Sequence, residues 1–311
     1  MQATKIKIVS RYDSDKVLFE CDAPKGLESG LHMRHALEKA TQEGVRLDGA
    51  SLVRASLDGA RLDGASLDGA RLDGARLVRA SLVRASLDGA RLDGASLDGA
   101  SLVRASLDGA SLDGARLDGA RLDGASLVRA SLDGARLDGA SLVRASLDGA
   151  RLDGASLDGA SLVRASLDGA RLVRASLVRA SLDGARLDGA SLDGARLDGA
   201  RLGSIRMDFW DVLLRAPQEI AGVRAALVEG RVDGSTYSGE CACLVGTIAN
   251  VRHANYAALG NNLNPDSGRP AEVWFMGIRK GDTPETNQQS KLAVEWLDEL
   301  VGLLTIAKAA P

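Results

Sequence analysis

The stretch Arg46-Leu47-Asp48-Gly49-Ala50-Ser51-Leu52-Val53-Arg54-Ala55 contains both forms of the five-residue word that decides the fold. The word opens with Arg or Ser, keeps Leu second and Ala fifth, and sets either Asp-Gly or Val-Arg between them. It is written 31 times over residues 46–200 without insertion or deletion. A period of five suits neither an α-helix nor a flat strand, whose side chains repeat about every 3.6 and 2 residues. Leu and Ala can share one interior if the chain turns a corner between them. Gly at the third turn position of Leu-Asp-Gly-Ala accepts the positive φ of a type II turn. Arg in the same place of Leu-Val-Arg-Ala disfavours it, so the sequence predicts two corner geometries mixed along one repeat.

The interior must be narrow. All nine aromatic residues lie outside the repeat, which leaves Leu and Ala to fill it. Burying one Leu contributes roughly 1.5–3 kcal/mol, while ordering the backbone of one residue costs about 1–2 kcal/mol. A single word is therefore unstable alone, and coil must stack on coil with backbone ladders on both sides.

The Ala-x-Leu-x-x word resembles that of the pentapeptide-repeat family. The resemblance implies a right-handed quadrilateral parallel β-helix with four words per coil, here nearly eight coils. At about 4.8 Å per coil the rod is roughly 37 Å long. Members of the family usually carry Asp or Asn before the central Leu, where this chain has only Ser or Arg. The near-identity of the words fits recent repeat expansion or consensus design.

Folding the repeat four words per coil sorts its outward charges. The repeat holds 22 Asp and 21 Arg. The face that begins with word 46 carries Asp48, Asp68, Asp88, Asp108, Asp148, Asp168 and Asp188 against Arg46, Arg129 and Arg186, a net −4. The face that begins with word 61 carries Arg61, Arg84, Arg104, Arg121, Arg144 and Arg164 against Asp63, Asp123 and Asp183, a net +3. The other two faces balance six against six. The acidic and basic faces are neighbours around the rod.

Composition bounds the rest. The net charge of −3 implies no global polyanion-binding surface. Three cysteines are too few and too unevenly placed for a disulfide framework. The start lacks the pattern of a secretion signal, and no apolar run of about 18 residues offers a membrane span. The expectation is a soluble, cytoplasmic protein without a cofactor.

The flanks divide the chain into a cap over 1–45, the repeat over 46–205 and a mainly helical region over 206–311. In the first, Ile6–Ser10 and Val17–Cys21 predict a β-hairpin, and Ser29 is placed to cap a helix over about Leu31–Gln42 that stops at Gly44. In the last, Asp208 is placed to cap a helix over Phe209–Arg215. A second helix is expected over Pro217–Glu229, stopping at Gly230. Cys241–Asn250 reads as helix or strand, Glu272–Ile278 as a strand and Ser290–Leu304 as the clearest helix. The stretch Gly230–Asn250, with Arg269–Phe275 and Gly281–Glu285, resembles the C-terminal region of phage- and prophage-associated members of the family.

Chemistry has few candidates. Cys241 and Cys243 lie near His253, Asp233 and Glu240 in sequence. A metal site on the two thiolates and His253 is short of a four-ligand set. A Cys-His nucleophile is the second reading, and two packed small side chains the third. His32 and His35 lack a third ligand at sensible spacing. No phosphate-binding loop, serine elbow or His-Glu-x-x-His motif occurs.

The leading expectation is a non-enzymatic structural or protein-interaction scaffold, with the C-terminal region as the specific partner site and a homodimer through its last helix as one such contact. Some members of the family imitate duplex DNA and occupy DNA gyrase, which is the alternative. Mimicry needs sustained negative charge, since a duplex carries one charge per ~1.7 Å, and here Arg nearly cancels Asp. DNA binding is not expected either, because no aromatic or Asn/Gln reader accompanies the arginines.

Overall fold

A computed structural model of the chain describes residues 4–234, 244–254, 259–260, 263 and 269–309. From residue 46 onward the chain winds as a right-handed quadrilateral β-helix. Word starts form parallel bridges to the residue one coil, or 20 positions, ahead: Ser66 to Ser86, Ser86 to Ser106, Ser106 to Ser126. The leucines and alanines point inward, and almost all are fully buried between Leu47 and Leu182.

The coil is held by a local rule that uses every backbone N–H of an Asp-Gly word. In Ser86–Ala90, the Ser86 N–H donates back one coil to Ala65 O at 2.9 Å, while Leu87 and Gly89 donate forward to Ser106 O at 2.8 Å and Asp108 O at 2.9 Å. The Ala90 N–H closes the corner on Leu87 O at 3.0 Å. The remaining N–H, of Asp88, donates to the Oδ1 of Asp68 in the coil before, at 3.1 Å. Buried backbone groups left unpaired are costly, so this full pairing is what lets so thin a rod stand.

The corners do not divide into two geometries. All nine Val-Arg words place their Arg at φ between 56° and 59°, beside glycines such as Gly89 at 62° and Gly109 at 65°. The ladder overrides local preference. Arg54 must donate to Asp73 O just as Gly74 donates to Asp93 O, both at 2.9 Å, and only the left-handed backbone aims the N–H there. The Arg stem then lies along the rod; the Cγ of Arg104 sits 3.6 Å from where a Cβ on Gly124 would be.

Before the rod, β1 (Lys5–Val9) and β2 (Val17–Asp22) form the hairpin, antiparallel with a register shift at Ile8/Val9. A single 3₁₀ turn leads into α1 (His32–Gln42), which buries Ala36, Leu37 and Ala40. These elements satisfy groups of the first coil that have no coil before them. Ser51 N–H donates to Val9 O at 2.8 Å. Arg34 Nη1 donates to Asp58 O at 2.9 Å, and Glu38 Oε1 accepts from Arg61 N–H at 2.9 Å. Ser29 does not cap the helix: Leu31 stands at the N-cap, and no side chain bonds there. Gly44 ends the helix in the left-handed conformation, φ 67°.

After the rod come α2 (Gly203–Leu214), α3 (Ile220–Val228), α4 (Leu244–Arg252), α5 (Pro270–Met276) and α6 (Gln288–Ala309). Helix α2 starts directly on the last coil, so Asp208 lies inside it instead of capping it. There its carboxylate takes Arg269 Nε and Ala271 N–H, both at 3.0 Å, which fixes the start of α5. The strand expected over Glu272–Ile278 is helix α5. Pro270 in its first turn and Glu272 near its positive N-terminal end outweigh the β preference of Val273, Trp274 and Phe275. The described part of Cys241–Asn250 is helical from Leu244.

The helices share an aromatic centre. Phe209 lies 5.5 Å from Phe275 and 6.2 Å from Trp296, and Trp274 lies 5.4 Å from Trp296, centroid to centroid. Trp210 Nε1 donates to Trp296 O at 2.9 Å. Gly234 has no room for a side chain, since a Cβ there would meet Phe275 O at 1.8 Å. Among the described residues no helix is long and apolar enough to cross a membrane.

Candidate interaction faces

The side chains that distinguish one word from another all sit on the outside of the rod, and the Asp of an Asp-Gly word that has a coil after it does two tasks there. Its Oδ1 accepts the N–H of the third residue of the next coil, and it meets the first residue of that coil. Where that residue is Ser, the hydroxyl shares the same oxygen: Ser126 Oγ donates to Asp108 Oδ1 at 2.5 Å, beside Val128 N–H at 3.0 Å. Where it is Arg, the guanidinium takes Oδ2, as from Arg76 to Asp58 at 2.6 Å.

This sorts paired from unpaired charge. On the two balanced faces the arginines that open words pair within the rod: Arg116 with Asp98 and Arg136 with Asp118 at 3.0 Å, Arg171 with Asp153 at 2.8 Å, and Arg151 with Asp133. On the acidic face every coil from the second to the seventh opens with Ser, so Asp68, Asp88 and Asp108 meet hydroxyls and keep their charge without a cation. Asp148 likewise meets Ser166, whereas Asp168 pairs with Arg186. Asp48, at the first coil, is buried enough to raise its pKa, but the hydrogen bonds from Ser66 and Arg46 outweigh this and hold it below the ordinary carboxylate value.

On the basic face, Arg84, Arg104, Arg144 and Arg164 are exposed and make no ion pair with any described residue. They rise in two pairs from half-buried valines and border two open grooves. One, of about 540 Å³, runs along Val83–Arg84 and Val103–Arg104; the other, of about 570 Å³, along Val143–Arg144 and Val163–Arg164. Val103 and Arg104 border both grooves, Asp123 and Gly124 line the second, and Arg121 lies 3.7 Å from Asp123.

The remaining candidates are scattered. His253 follows α4, exposed and at φ 55°. Its proposed companions Cys241 and Cys243 lie outside the described residues, as does Glu240. His32 Nε2 lies 3.2 Å from Leu27 O. No group of three or more His, Cys, Asp or Glu side chains among the described residues is placed to hold a metal ion. Cys21 is buried, which pushes its thiol pKa up and keeps it protonated.

The last helix, expected from the sequence as a dimer contact, keeps apolar side chains uncovered at its end. The last turns of α6 leave Val301, Leu303 and Ile306 exposed by 42%, 49% and 69%. The helical spacing over Ser290–Leu304 signals a surplus of apolar positions, but only the packing of α2 and α3 against the first half of α6 shows which ones remain uncovered.

Known proteins place the repeat. The family described as pentapeptide repeats matches in eight copies, over residues 43–77, 85–124, 125–164 and 165–203. Among solved structures, HetL, a pentapeptide repeat protein involved in heterocyst differentiation regulation from the cyanobacterium Nostoc sp. strain PCC 7120, is 33% identical. That match covers 55% of this chain and 94% of HetL, with a TM-score of 0.33. A pentapeptide repeat protein from the Arabidopsis thaliana thylakoid lumen is 31% identical over 31% of this chain and 63% of its own, TM-score 0.25. Full-length QnrB1, a plasmid-mediated fluoroquinolone resistance protein, is 18% identical over 53% of this chain and 96% of its own, TM-score 0.24. Comparison with curated proteins gives no match. With its coils, corners and repeated word all of one kind, the chain belongs to the pentapeptide-repeat family.

Proposed function

We propose that this protein is a non-enzymatic protein-interaction scaffold, in which the rod is a rigid spacer and the helical region carries the specific contact. The observation that supports this reading is the uncovered end of α6. Val301, Leu303 and Ile306 lie beyond the part of the helix that packs on α2 and α3. Leu303 and Ile306, three positions apart, share one side of this helix end, with Val301 about 140–160° round from them, and an uncovered apolar side of this kind is the usual core of a protein contact. A second copy of the same helix is the simplest partner, since two such ends bury each other symmetrically.

Gyrase-directed DNA mimicry fits less well. The unpaired acidic ladder offers one carboxylate per coil of about 4.8 Å, against one duplex charge per ~1.7 Å, and Arg129 interrupts it.

The test is light scattering on the full chain in about 0.5 M salt, where contacts between surface charges are screened. The native chain is expected at twice its mass of 32.3 kDa. Val301→Glu/Ile306→Glu is expected at the single-chain mass with unchanged circular dichroism. A native chain that stays single at about 50 μM, well above the micromolar affinities of ordinary specific contacts, would refute dimerisation through α6.

A further inference from the structure

The two unbalanced faces carry patterns, and the patterns match. Counting coils from residue 46, the second to sixth coils of the basic face present Arg84, Arg104, Asp123, Arg144 and Arg164. The third to seventh coils of the acidic face present Asp88, Asp108, Arg129, Asp148 and Asp168. Read along the rod, the first series is plus, plus, minus, plus, plus; the second is its inverse at every step. We propose that the basic face docks on the acidic face of a second copy of this chain, rods side by side with these five coils of each copy facing one another.

Three observations carry this. The four arginines have no ionic partner in their own rod, and of the four carboxylates Asp88, Asp108 and Asp148 meet only hydroxyls and N–H groups, Asp168 alone pairing with Arg186. On the balanced faces the arginines that open words pair internally, while Arg54, Arg79, Arg174 and Arg179 of the Val-Arg words make no ion pair with any described residue, so what sets the two docking faces apart is their uncancelled net charge. Both series rise by one coil per step, so their register does not drift along the contact, as it would against a polymer of another repeat. The matched coils are also clear of the N-terminal hairpin. Its tip lies on the first two coils of the acidic face, with the Tyr12 ring against Gly49 and Arg11 Nη1 donating to Gly69 O. At the interruption, the Asp123 of one copy, which also lies 3.7 Å from Arg121 of its own rod, faces the Arg129 of the other.

The contact is heterologous: a docked copy still has one free face of each sign. It is governed by screened charge, with a Debye length of about 20 Å at 20 mM salt against about 4 Å at 0.5 M.

The experiment is sedimentation velocity of the full chain carrying Val301→Glu/Ile306→Glu, so that any contact through α6 is removed from the reading. At about 20 mM salt the weight-average mass is expected to climb with protein concentration, and at about 0.5 M to return to that of one chain. Two further variants use only residues the rod already accepts at those positions. Rewriting the four Val-Arg pairs of the basic face as Asp-Gly (V83D/R84G, V103D/R104G, V143D/R144G and V163D/R164G) erases the basic series. Ser106→Arg/Ser126→Arg/Ser166→Arg supplies Asp88, Asp108 and Asp148 with cations from their own rod. Each variant alone is expected to stay single at low salt, while a mixture of the two forms a one-to-one pair, because each retains the face the other has lost. A control that adds arginines to a balanced face, Ser111→Arg/Ser131→Arg, is expected to associate as before. A parent that stays single at low salt overturns the proposal, and so does association that survives either face variant.

Discussion

The rod and the helical region are stabilised on different plans. In the rod one rule is repeated: each Leu fills the same slot, each Ala N–H closes its own corner, and the other N–H groups are answered one coil away. In the helical region every important contact is made once. Asp208 orients Arg269, Arg269 also reaches Asp211 at 2.8 Å, and the Phe209–Phe275–Trp296–Trp274 cluster has no equivalent elsewhere. Repetition spreads tolerance evenly along the chain, whereas unique contacts concentrate it at a few residues.

That contrast can be attacked directly. The largest effect is expected from Phe209→Ala, which removes the ring joining α2 to both α5 and α6 and costs about 3–5 kcal/mol, read as a loss of the helical region's transition in denaturant. Leu127→Ala in the middle of the rod should cost about 2–5 kcal/mol, with the same value at Leu107 or Leu147, because their surroundings are the same. Unequal costs at these three sites would break the idea of a uniform rod. Asp108→Ala leaves Val128 N–H and Ser126 Oγ without their acceptor and should cost about 1–3 kcal/mol, whereas deleting the side chain of Arg104 should cost less than 1 kcal/mol.

Acid should separate the two regions with a smaller effect. Arg252 holds the Glu219 carboxyl below its ordinary value of 4.5, and Arg224 does the same to Asp298. A lowered folded-state pKa contributes stability that is present above the unfolded value and is lost as pH falls through the folded one. Thermal melts of the helical region should therefore fall progressively below about pH 4.5, and Arg252→Met should flatten part of that slope. The smallest effect is a gain. Arg144 sits at φ 58°, and Arg144→Gly should stabilise the rod by roughly 0.5–1 kcal/mol in chemical denaturation.

The rod was legible in the sequence because the periodicity of Leu and Ala states which side chains are inside, and 31 repetitions leave one arrangement. Its corners were misread because Arg was judged by local preference, while the backbone ladder sets φ for whichever residue stands there. The same inversion hid α5, where Val273-Trp274-Phe275 prefers a strand in isolation but is held as helix by Pro270 and by the Asp208 carboxylate from another element. The charged faces could be counted once four words were assigned to each coil. Which charges remain unpaired could not, since that depends on whether Ser or Arg opens the coil above.

The shared corner has one more consequence. Because Asp-Gly and Val-Arg trace the same backbone, the outer lettering of the rod can change while its shape does not, and the lettering is read modulo four words. Gaining or losing 20 residues adds or removes one layer and leaves every downstream letter on its own side. Gaining or losing a single word folds equally well but turns everything after it by a quarter revolution, so that an acidic column continues on a different side. For this molecule a five-residue insertion is silent to the core and a frameshift to the surface.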